Sequence, residues 1–186
     1  MKSILFLSLV LVLAGSMAQA DVPDPQYCEV APWDAWGQAF VTPGQQSNAD
    51  EITITVHNNA DLPIDGADVE LDFSGCANRC EGTVGLTGQT GGTGTLVLNP
   101  AMGGCEDCTV IVRANGVTIA TYTRMVSTDW NGAACGGAAG PVALAFFAAA
   151  FNTGSGTCAS YLVYDGNPGP GDLGKFANSF NSGDAN

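Results

Sequence analysis

The chain has 186 residues, among them 18 acidic ones against 5 Lys and Arg and a single His, for a net charge of −13. That balance excludes nucleic acid and anionic lipid as partners, because a phosphate-rich surface repels such a chain. The length allows one good core or two small ones.

The opening MKSILFLSLVLVLAGSMAQA carries Lys2, an apolar run from Ile4 to Ala14 and small residues at Ala18 and Ala20. It predicts a secretory signal peptide over residues 1–20, cleaved before Asp21. The run is too short to stay in a bilayer as a span, so an integral membrane protein is not expected. Cleavage would leave Arg79, Arg113, Arg124 and Lys175 as the basic residues.

Residues 21–50 are rich in Pro, Gly, Gln and Asn and read as a lead-in, with one strand around Ala39 to Thr42. Trp33 and Trp36, in APWDAWG, are expected to staple this lead-in onto the body of the fold. An exposed aromatic patch for a sugar or a protein is the weaker alternative.

From Glu51 the pattern becomes strict alternation, with Ile52, Ile54 and Val56 on one side and Thr53, Thr55 and His57 on the other. That is the signature of a half-buried strand. The cluster Asn58–Ala67 predicts a turn, after which Val69, Leu71 and Phe73 alternate with Glu70 and Asp72. TLVLN gives a third strand beyond the Gly-rich stretch 82–94. TVIVRANGVTIATYTRMV gives two more around Asn115-Gly116, a strong hairpin signal. Such a run of strands without helices predicts a mainly β fold, a sandwich over residues 51–126.

The segments ITITVHNNADLPIDGADVELDF, GLTGQTGGTGTLVLNP and CTVIVRANGVTIATYT resemble the immunoglobulin-like (invasin-like) modules of exported bacterial proteins. Those modules carry an x-G-x-P-I-x-G-A turn, here DLPIDGA, and a later T-D-x-x-G-T-x-x-F turn, here within TGQTGGTGTLVL. At this second turn Gly88 and Leu98 are read in place of the family's Asp and Phe. The resemblance implies a fold and leaves function open.

Seven cysteines, an odd number, leave at least one thiol over, and the fate of Cys28 stays open. Export favours disulfides, so two bonds are expected among Cys76, Cys80, Cys105 and Cys108, in any of three connectivities. A zinc site at these spacings is the lesser reading.

Past Val126 the strand pattern stops. Gly140-Pro141 predicts a helix with Pro at its first position, and Leu144, Phe147 and Phe151 fall on one face. A second helix is predicted from Asp172 as N-cap, with Leu173, Phe176 and Phe180 at the same offsets. The two share L-x-x-F-A-x-x-F-N, repeated after 29 residues. This loop-helix pair, residues 127–186, resembles the dockerin repeat, a calcium-loop pair that docks on a partner domain. The resemblance implies oxygen ligands at Asp129 and Asn131 in the first loop and at Asp165, Asn167 and Asp172 in the second. Both loops are degenerate, since Ala143 stands where Asp172 closes the second loop. Calcium is therefore the one ion in question, and no cofactor is expected. Cys135 and Cys158 are expected to bond and replace the ion as staple, at about 3 kcal/mol.

No nucleophile elbow accompanies His57 or Ser127, so an enzyme is not expected. The chain reads as a non-catalytic exported module for surface display, adhesion or protein assembly. It would be secreted, at the cell surface or in the periplasm, and bind through Phe147, Phe151, Phe176 and Phe180. Its partner would be a protein, cohesin-like or a surface component, or a glycan. The alternative is a calcium-dependent dockerin-like adaptor for a cohesin-type partner, as in polysaccharide-degrading assemblies.

Overall fold

Alternation becomes strand geometry wherever the sequence carries it. In the computed structural model, which describes residues 22–41, 51–76, 86–100, 105–127, 141–153 and 169–182, the chain is mainly β with short C-terminal helices. Strands β1 (Glu29–Ala31), β2 (Ala39–Val41), β3 (Ile52–Thr55), β4 (Asp68–Asp72) and β5 (Thr87–Gln89) are followed by β6 (Thr95–Leu98), β7 (Cys105–Glu106), β8 (Val110–Ala114), β9 (Val117–Tyr122) and β10 (Met125–Ser127). Helix α1 (Trp33–Trp36) separates β1 from β2, and α2 (Pro141–Thr153) and α3 (Pro170–Ser182) close the chain.

Three sheets form, in the orders β1-β3-β6, β2-β10-β7 and β5-β4-β8-β9. All described pairings are antiparallel except β2 on β10. The inward rows are the predicted ones: Ile52, Ile54 and Val56, then Val69, Leu71 and Phe73, then Val110, Val112 and Ala114, all buried. Asn115 and Gly116 take φ of 47° and 78°, the two left-handed residues that a tight hairpin between β8 and β9 requires. Asn115 also ties this turn to β4, its Oδ1 accepting from Asp68 N–H at 2.9 Å.

The lead-in is part of the fold, since β1 pairs with β3 and β2 with β10. Trp33 is fully buried between them. Its indole N–H donates to Phe40 O at 2.8 Å, and its ring meets Phe73 and Tyr122 edge-on at 6.3 and 5.4 Å.

The turns around Ile64 and Thr90 lock onto each other. Thr90, buried, donates its hydroxyl to Ile64 O at 2.6 Å and accepts Ala67 N–H at 2.8 Å, while Gly66 N–H donates to Thr90 O. Gly88 lies inside β5 opposite Val69, and the second turn follows from Thr90. Leu98 is buried. Gly94 has φ of 70°, and a Cβ there would sit 2.7 Å from Val56 O and 2.8 Å from Pro63 Cβ. Gly94→Ala should cost about 2–3 kcal/mol, combining left-handed strain with a clash against backbone. Urea unfolding should show a lower midpoint at unchanged slope.

One correction concerns α3. The helix starts at Pro170, two residues before the predicted cap, because Gly-Pro opens it as it opens α2. Asp172 is consequently the third helical residue. Among the described residues, no helix is long and apolar enough to cross a membrane.

Candidate functional site

The start of α3 explains where the Asp172 carboxylate goes. It is fully buried, and Oδ2 accepts the N–H of Gly169, the residue before the helix, at 2.8 Å. That is the back-bonding half of a capping box, satisfying one of the donors that a helix start leaves open. Of the five calcium-loop residues, Asp172 is the one described; Asp129, Asn131, Asp165 and Asn167 lie outside the described residues. Among the described residues no three His, Cys, Asp or Glu side chains gather as a metal site.

With both starts fixed, the repeat extends to G-P-x-x-L-x-x-F-A-x-x-F-N and makes two helices of 13 residues each. The shared Gly-Pro was the signal that would have placed the second start from sequence. Phe147 and Phe176, equivalent in the repeat, are both buried and stack on each other, centroids 4.8 Å apart and planes 12° apart. Phe151 stacks on Phe147 at 5.6 Å but keeps 37% of its surface exposed. Leu144 and Leu173, also equivalent, are 41% and 47% exposed. The structure thus splits the predicted face: its phenylalanine centre joins the two helices, and its leucine ends remain on the surface. Phe180 lies on α3, with its side chain outside the described residues.

The strand region offers a second, polar surface. Asp68, Glu70, Thr87, Gln89 and Arg113 line a shallow groove of about 400 Å³ on the sheet β5-β4-β8-β9. Gln89 Nε2 donates to Asp68 Oδ1 at 2.8 Å. Arg113 Nη1 reaches Asp72 Oδ2 at 2.7 Å and Glu70 at 3.8 Å. The hydrogen bond from the Ser74 hydroxyl, then that from Arg113, hold the Asp72 carboxyl at about 2. Because its folded pKa is depressed, the ionised Asp72 stabilises the protein above its unfolded pKa near 4, and that gain is lost as pH falls toward 2. Its size is about 2 kcal/mol. Asp72→Asn should lie that far below the parent at pH 7 and converge with it by pH 2 in a thermal unfolding series.

Sulfur placement settles one connectivity. Cys76 and Cys108 are bonded, with Cα atoms 5.1 Å apart, joining the end of β4 to the β7–β8 junction. A sulfur so bonded is not a thiolate ligand for zinc. Cys80, Cys135 and Cys158 lie outside the described residues, as does the side chain of Cys105. Cys28 is a half-buried free thiol with its sulfur 3.6 Å from His57 O, and burial pushes its pKa up.

His57 pairs its Nδ1 with Asp61 at 2.7 Å. Asp34, unremarked in the sequence, accepts Val30 N–H at 2.6 Å and the Tyr122 hydroxyl. Burial, and then this bond, push the Tyr122 pKa far up. The two Asp34 contacts fix the lead-in against the strands. No family model matches this chain, and no curated protein matches it.

Proposed function

We propose that the chain is an exported, non-catalytic module for display or assembly, an immunoglobulin-like sandwich followed by a dockerin-like helix pair that engages a protein partner. The sandwich reading is supported by strand order: separate sheets β1-β3-β6 and β5-β4-β8-β9, with an early strand, β2, paired in parallel with the last, β10. Export is supported by the leader-like opening and by the Cys76–Cys108 bond, since disulfides persist in oxidising compartments.

The observation that carries the docking reading is the pair of exposed leucines, Leu144 and Leu173, at equivalent positions beside a buried Phe147–Phe176 stack. The phenylalanines hold the helices, and the leucines are open to burial by a partner. Titrating a cohesin-type domain onto the mature chain tests this. Binding should be lost in Leu144→Asp/Leu173→Asp while the melting temperature stays within about two degrees, as surface changes allow. Binding that survives both substitutions removes the helix pair as the docking site.

Asp172, spent on the helix start, supports a tail that folds without calcium. Millimolar calcium should shift melting by no more than about a degree. A rise of several degrees that disappears in Asp172→Ala would favour the calcium-dependent adaptor instead. A glycan partner draws its support from the polar groove around Glu70 and Arg113.

A further inference from the structure

We infer that the groove on the sheet β5-β4-β8-β9 binds a neutral oligosaccharide laid across the strands, which rests on the glycan reading of that groove and not on the helix pair. Strand register gives its shape. Gln89 opposite Asp68 makes one wall, and Glu70, with Thr87 opposite it on β5 and Arg113 opposite it on β8, makes the other. Along each strand the two walls are two residues apart, about 7 Å. Between them Gly88 faces Val69 in register, and both turn away from the slot: Val69 is buried, and a Cβ on Gly88 would meet Leu96 in the interior at 3.0 Å. The floor is therefore backbone, with polar side chains on either side of it. Its volume of about 400 Å³ lies within the range of small-molecule sites.

Charge decides the class of ligand. The chain carries 18 acidic residues against 5 Lys and Arg, so a sulfated or uronic-acid glycan is repelled. An incoming cation meets the Arg113 guanidinium, already set 2.7 Å from Asp72 and 3.8 Å from Glu70. The slot has thus spent its charge internally, and what it offers is hydrogen bonding. Arg113 serves both carboxylates through Nη1, while a guanidinium presents five N–H donors in a fixed fork, so donors remain and are held in orientation. Asp68 Oδ1 accepts from Gln89 Nε2 at 2.8 Å, which fixes both side chains and leaves Asp68 Oδ2 and the Gln89 carbonyl as acceptors. The Thr87 hydroxyl does both. Donors and acceptors interleaved and braced in this way match the neighbouring hydroxyls of a sugar, each of which also donates and accepts, and bracing lowers the cost of ordering them on binding. A basic peptide would use the carboxylates alone.

Titrating maltohexaose, cellohexaose, xylohexaose and mannohexaose into the mature chain by isothermal calorimetry tests this. At least one should bind, with an affinity that changes less than about two-fold between low and high salt, because no net charge is exchanged. Thr87→Val/Gln89→Leu should weaken binding about ten-fold, as losing two hydrogen bonds does, with the melting temperature within about two degrees of the parent. Leu144→Asp/Leu173→Asp should bind the sugar as the parent does. Binding that survives Thr87→Val/Gln89→Leu would overturn the slot while keeping a glycan partner. Failure of all the sugars removes both. Hexalysine bound more tightly than every sugar, with an affinity that collapses in salt, would make the slot a cation site and overturn the inference as well.

Discussion

Replacing Trp33 by Ala is expected to cost about 4–5 kcal/mol, the largest loss from any single side chain of the fold. The indole is fully buried and packs edge-on against two other rings, so its removal leaves a cavity that neighbouring backbone cannot close. It also removes the indole N–H that donates to the Phe40 carbonyl, which adds about 1 kcal/mol. Against a total stability of roughly 5–15 kcal/mol, such a variant stands at the edge of folding. Trp33→Phe should fall between, since it keeps most of the volume and loses the N–H. Urea titrations of the three proteins, monitored by circular dichroism, check the order.

Removing the Cys76–Cys108 bond should cost about 3–4 kcal/mol. The two residues are 32 apart in sequence, and in the chain-entropy view closing a loop of that size removes about that much freedom from the unfolded state. Cys76→Ala/Cys108→Ala is the clean test, because reductant would open any other bond as well. The double variant should unfold at lower denaturant with a somewhat steeper slope, its unfolded chain being less compact. A midpoint identical to the parent's would mean that the link adds nothing to the fold.

Much of this architecture was legible, and the reasons differ by element. β3, β4 and β8 bury one face, so Ile52/Ile54, Val69/Leu71 and Val110/Val112 print a period of two in the sequence. Asn115-Gly116 announced its hairpin through backbone chemistry alone. β1 escaped because three residues are too few for a period, whereas the apolar run from Ala39 to Thr42 placed β2, all of it buried. Their partners, β3 and β10, are set by long-range packing that no local window contains. At the candidate site, helical spacing grouped Leu144, Phe147 and Phe151, but spacing cannot say how far a neighbouring helix covers that face. It covers Phe147 and leaves Leu144 exposed. Asp172 was misplaced by three positions because aspartate suits both the cap and the third helical position, and the Gly-Pro pair before it decides between them.

The stack at the centre of the helix pair also bears on why both units sit on one chain. Phe147 and Phe176 are the same residue of two copies of one sequence unit, and a contact of a residue with its own equivalent is what a two-fold association of identical pieces produces. A lone 13-residue helix is marginal in water, so a single unit would have held its shape only by pairing with another molecule of itself. Carrying both units on one chain replaces a dilute bimolecular encounter with an effective concentration on the order of millimolar. The pairing therefore does not require two identical units, and they differ at Ala143 and Asp172.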